Sequence, residues 1–134
     1  MNTFNNQRQD HLGNRLTAAS RDAVALYEQA IHELQCYRND PVATVRSALD
    51  ADPSLVMGHV LHGYLHLLGT EPSGFPVAAA DLEAAEGLPA NDREAEAIQS
   101  AIARITGVQL LIASDHDPSA KLPPIGNLIV LGNR

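Results

Sequence analysis

The stretch GHVLHGYLHLLG, residues 58–69, decides how this chain is read. It sets three imidazoles, His59, His62 and His66, among leucines and glycines, with no Asp, Glu, Lys or Arg. The charge-free run extends from residue 53 to residue 70. A bilayer span needs about 20 predominantly apolar residues. This run is shorter, carries histidines and is interrupted by Gly58 and Gly63, so it reads as a buried helix within a helical protein. At about 100° per residue the histidines fall within a wedge of roughly 60°. Val56, Met57, Val60, Leu61, Tyr64, Leu67 and Leu68 crowd the other side. The histidines are thus the polar stripe of an amphipathic helix, opposite its core face. A solvated stripe normally carries Lys and Glu. One made of His, Gly and Leu predicts a half-buried surface that meets another element or lines a groove.

Punctuation on either side repeats the helical theme. Asp52-Pro53 is expected to open this helix and Gly69 to end it, because Asp caps, Pro fits the first turn and Gly suits the end. The same device at Asp40-Pro41 opens the preceding helix, with Val42, Val45 and Leu49 as its stripe. Earlier still, residues 21–38 show helical spacing at Val24, Tyr27, Ile31 and Leu34, backed by Ala23 and Ala30, with Ser20 as N-cap. Phe75-Pro76 opens a fourth helix that Gly87 and Pro89 close. Asn91 and Glu94 form a capping box for a fifth, which carries Ile98, Ala101, Ile102 and Ile105.

Five helices with short connections predict an all-α fold of antiparallel hairpins. No stretch before residue 107 reads as a strand. Residues 1–16 read as a flexible polar arm, residues 17–113 as the helical domain and residues 114–134 as a divergent tail. Within the later part, VQLLIA (108–113) and NLIVL (127–131) are apolar runs separated by turn formers. They form either a short hairpin or, for the first run, an extension of the fifth helix through Gly107. The helix is preferred, because Val108 and Ile112 continue its stripe. The last residues read as irregular or extended.

Composition narrows the function classes. The chain has 134 residues, 45% hydrophobic and 19% charged, with a net charge of −7 and Lys121 as its one lysine. That balance argues against electrostatic capture of nucleic acid or anionic membrane, which both need clustered cations. Cys36 is the single cysteine, so no internal disulfide forms, and a reduced, cytoplasmic setting is expected. The first residues are polar and do not form the apolar core of a signal peptide.

His59, His62 and His66 are the candidate metal ligands, with zinc the natural ion for imidazoles one turn apart. The HExxH pattern is absent, since Val60 and Gly63 occupy its glutamate and second histidine positions. No carboxylate lies on this helix to serve as a general base. The favoured alternative has the imidazoles filling a semi-polar contact. Together with Gly58 and Gly63, which leave room for another helix or a ligand, they are also the candidate lining of a binding groove. Asp115-His116-Asp117 resembles a ligand triplet, but before Pro118 it reads better as an Asx-turn and helix stop. Ser20, Ser119 and Cys36 are nucleophile types with no paired base in local context. Tyr27, Tyr37 and Tyr64 sit at core spacing and read as packing.

The block ALDADPSLVMGHVLHGYLHLLGT, residues 48–70, resembles the N-terminal part of the tetratricopeptide repeat protein 38 family. The matching positions are Asp52, Pro53, Val56, Met57, Gly58, His59, Gly63, Leu65, Gly69 and Thr70. Ala25, Tyr27 and Ala30 fit the same alignment, as does Arg93-Glu94, and the likeness covers roughly residues 20–107. It implies a right-handed, TPR-like stack of about five helices and supplies no catalytic activity. His62 and His66 are additions to the pattern, and Ala97 stands where a histidine is expected. Members of that family are several times longer, so the chain reads as the opening portion of such a protein. The expected function is a helical module for a protein or peptide partner, with self-association through an uncapped helical end. The alternative is a metal-binding protein or metal-dependent enzyme built on the histidine face.

Overall fold

The computed structural model describes residues 7–69 and 71–116, with side-chain surroundings as far as residue 107. Five helices dominate: α1 (Arg21–Cys36), α2 (Pro41–Ala51), α3 (Val56–Leu68), α4 (Gly74–Glu86) and α5 (Asp92–His116). Their starts follow local chemistry. Ser20 Oγ accepts from Ala23 N–H at α1, and Asp40 accepts from Ala43 N–H at α2, with Pro41 in the first turn. At α5 the capping box is reciprocal: Glu94 N–H donates to Asn91 Oδ1 at 2.9 Å, and Asn91 N–H donates to Glu94 Oε1 at 3.0 Å. The α5 assignment settles residues 108–113 as helix. NLIVL, Asp117 and Ser119 lie outside the described residues.

Short connections fold successive helices back on one another. α1 packs on α2 and α3 on α4, while α3 also meets α2 and α5. The core has two parts. Val56, Val60, Leu67, Phe75, Ala78, Leu82, Ile98 and Ile105 join α3, α4 and α5. Leu16, Val24, Tyr27, Ala48 and Leu55 fill the other, and Met57 packs against both. Among the described residues no helix is long and apolar enough to cross a membrane.

Three expectations are corrected. First, a hairpin precedes α1, in the segment read as a strand-free arm: β1 (Gln7–Gln9) pairs antiparallel with β2 (Arg15–Thr17), Arg8 opposite Leu16. Strands this short and polar show no usable alternation. The turn carries the signal instead. The Asp10 carboxylate accepts from Leu12 N–H, Asn14 N–H and Asn14 Nδ2, and Gly13 takes φ +85°.

Second, Asp52 does not cap α3. It ends α2, and α3 begins four residues later with Leu55 before its first turn. The Asp52 carboxylate accepts from Ser54 and from Ala19 and Ser20 N–H, at 2.7 and 3.1 Å for the last two. Burial alone would raise its pKa, and these donors outweigh it and hold the group below the ordinary 3.8. Third, Tyr37 is not packing. It follows α1 in the left-handed region and is 96% exposed.

The outer edge of β2 is closed by side chains. Thr17 N–H and Oγ1 donate to Glu94 at 2.9 and 2.6 Å, and Asn91 Nδ2 donates to Arg15 O at 3.2 Å. Glu94 is fully buried. Glu94→Ala would strand the Thr17 donors and break the α5 capping box, at a cost of about 3 kcal/mol. Glu94→Gln keeps an acceptor and should cost less than half as much, both read by urea unfolding.

Candidate functional site

The histidines lie on α3, which packs against the next helix, α4. Gly74, at the start of α4, sits against the end of α3: a Cβ there would lie 2.5 Å from His66 O. Only glycine permits that approach. It brings Asp81 opposite the imidazoles. His62 Nδ1 is 2.5 Å from Asp81 Oδ2, and His59 Nδ1 is 4.0 Å from Asp81 Oδ1. A carboxylate only accepts, so His62 Nδ1 carries the donated proton. His59 Nε2 donates to Pro53 O at 2.8 Å.

The stripe is therefore a helix–helix contact rather than a surface opposite the core. His62 is 8% exposed, whereas Leu68, assigned to the core side, is 59% exposed. The wheel placed the core by hydropathy, but α4 supplies a carboxylate that makes the imidazole side the better contact. The two expected helix glycines behave differently from Gly74. A Cβ on Gly63 would meet Ala78 O at 3.5 Å, an ordinary contact, and one on Gly58 would meet the side-chain ends of Leu49 and Leu55 at 2.9 Å. Both face neighbouring protein. His66 alone of these five borders a cleft of about 390 Å³, with Leu65, Gly69, Glu71, Ser73, Gly74 and Val77.

The electrostatics follow from the shared carboxylate. Asp81 raises the His59 pKa above its ordinary 6.5 against the opposing effect of burial. Burial would raise Asp81, but His59 and His62 outweigh it and keep the carboxyl below 3.8. Burial, then the neighbouring His62, lowers His66. The His62 and His66 rings meet edge-on at 4.7 Å, and both Nε2 atoms are buried without a partner among the described residues.

Among the described residues no group of three or more His, Cys, Asp or Glu is placed to hold a metal ion. The Asp81 carboxylate faces the Nδ1 atoms of His62 and His59 and leaves the Nε2 atom of His62 unpartnered. Asp81 is also the residue sequence reasoning missed. Its signal is an acid three residues after Ala78 and next to Leu82, flanking the buried stripe of an alanine-rich helix. Of the other candidates, Ser20 is used as a cap. Cys36 Sγ lies 3.7 Å from His32 Nε2 on an exposed part of α1. Asp115 and His116 are the last two residues of α5.

Comparison of the chain with protein-family models, curated proteins and solved structures finds no match.

The pKa directions set a pH window. Asp81, depressed in the fold, stabilises above 3.8 and loses its contribution as pH falls through the lower folded value. His59, raised in the fold, stabilises below 6.5 and loses its contribution as pH rises through the higher folded value. The melting difference between the native chain and Asp81→Ala should be widest between those limits, worth about 2 kcal/mol, and should narrow on both sides. Thermal melts from pH 3 to pH 9 check this.

Proposed function

We propose that this chain is a non-enzymatic, TPR-like helical module that acts by binding a protein or peptide partner. The observation that carries this reading is a period. α1, α3 and α5 start at Arg21, Val56 and Asp92, 35 and 36 residues apart. A tetratricopeptide unit repeats at about 34 residues as helix–turn–helix. Pro53 and Pro89 each stand three residues ahead of such a first helix. The neighbour relations support the same reading. α3 touches its own hairpin partner α4, the preceding α2 and the following first helix α5. In a stack of helix hairpins each repeat contacts only its neighbours, and the extended surface serves as the binding face. The likeness of residues 48–70 to the tetratricopeptide repeat protein 38 family agrees with this, and a right-handed superhelical sense is part of the proposal.

Leu68 and Val77, at the connected ends of α3 and α4, are exposed apolar residues suited to a partner contact. Partners trapped by cross-linking in cells should, once purified, form a saturable binary complex with this chain. Leu68→Glu should weaken it at least about tenfold, equivalent to about 1.4 kcal/mol, with the melting temperature unchanged. A second copy of the chain is one such partner, read by sedimentation velocity across concentration. Purified candidates that bind equally well after substitution at Leu68 and Val77 together would remove this surface from the proposal.

The metal reading retains one supporting feature, the two unpartnered Nε2 atoms of His62 and His66. Zinc bound to the native state would raise the melting temperature by linkage. The helical-module reading expects melts at 222 nm to be the same with zinc and with chelator. A rise abolished by His62→Ala would replace it with metal-dependent chemistry.

A further inference from the structure

We infer that the cleft between the β-hairpin and the first half of α1 binds a small organic phosphate. Its volume is about 910 Å³, and Arg8, Arg15, Arg21, Val24, Ala25 and Glu28 are among its lining residues. Ligand sites commonly span about 300–1,000 Å³. Three of the nine basic residues of a chain with net charge −7 meet here.

None of these three arginines is in an ion pair with another described residue. Among the described residues Arg15 and Arg21 also have no side-chain hydrogen bond. Arg8 is held in place differently, donating to Ala18 O at 3.2 Å and Ala19 O at 2.7 Å. Carbonyl acceptors orient a guanidinium without cancelling its charge. Glu28, the one acid among the described lining residues, keeps its charge while it accepts hydrogen bonds from His11. Glu28 accepts from His11 Nδ1 at 2.6 Å and His11 N–H at 3.1 Å. Asp10 closes the hairpin turn through Leu12 and Asn14. Arg8, held in place, and Arg15 and Arg21, without side-chain hydrogen bonds, are thus among the residues that line a cleft beside the apolar Val24 and Ala25.

Guanidinium forks match phosphate oxygens in pairs, and a phosphate monoester carries about −1.5 to −2 charge with three acceptor oxygens. Three arginines against the one carboxylate of Glu28 leave the lining net positive, which favours a multiply charged anion. The expected arrangement places the phosphate on Arg15 and Arg21 and the organic body along Val24 and Ala25. This proposal stands independently of the helical-module reading.

Isothermal titration calorimetry with inorganic pyrophosphate tests it on the full chain, at fixed ionic strength. One-to-one binding is expected, weakened about tenfold by Arg15→Gln and about tenfold again by Arg21→Gln, since each removes charged hydrogen bonds. Both residues are exposed, so these variants should keep the native melt. Citrate at the same ionic strength, as a polycarboxylate arm, should bind more weakly. Absence of saturable pyrophosphate binding, equal binding by the double variant, or citrate binding as tightly as pyrophosphate would each overturn the assignment.

Discussion

The arrangement of the helices depends on one short run of backbone, residues 15–20. Asn91 donates to Arg15 O, Glu94 accepts from Thr17, and Asp52 accepts from Ala19 and Ser20. Ser20 then caps α1. The run thus touches the entry to α1, the turn before α3 and the first turn of α5. Those are the corresponding ends of the helices spaced by 35 and 36 residues. Each tie joins positions remote in sequence, up to 77 residues apart for Thr17 and Glu94. A buried carboxylate is tolerable here because backbone and hydroxyl donors surround it. The same contacts close the outer edge of β2, which would otherwise present unpaired amides.

The contact of α3 with α4 solves a related problem. α4 is rich in alanine, and alanine faces give shallow ridges that specify register poorly. The His62–Asp81 pair fixes which turn of α4 meets which turn of α3, and Gly74 sets how closely their connected ends approach. Buried polar pairs of this kind contribute little net stability against a well-packed apolar substitute. Removing one partner, in contrast, leaves the other unsatisfied. The histidines are therefore explained as determinants of register before any chemistry is invoked.

The helices were legible because their boundaries are local events. Ser20, Asp40-Pro41 and the Asn91–Glu94 box each act within one turn, and the structure uses all of them. Asp52 shows where local reading fails. An Asp-Pro pair looks the same whether the carboxylate caps the next helix or reaches back to residues 19 and 20. Only the tertiary contact distinguishes them. His62 was assigned to a polar stripe because periodicity ranks residues by hydropathy and has no access to the acid across the interface. Half of the candidate site, the imidazoles, was visible. The other half, Asp81, belongs to a different helix. Gly74 was missed because its demand comes from His66 O rather than from its own backbone conformation.

The tie and the arginine cleft share residues, and this links the scaffold to its basic surface. Arg15 offers its carbonyl to Asn91 and is also among the residues lining the cleft, and Arg8 grips the carbonyls of Ala18 and Ala19, whose following amides turn toward Asp52. Backbone donors and acceptors of one segment are thus divided between two tasks. One edge anchors the ends of three helices, and the other side orients a guanidinium. In a chain with excess negative charge, an unpaired arginine would otherwise gain from moving toward a carboxylate. Glu28 and Asp10 have hydrogen-bond partners of their own, Glu28 with His11 and Asp10 within the hairpin turn. The orientation of the acids toward His11 and the hairpin turn leaves Arg15 and Arg21 outside any ion pair among the described residues.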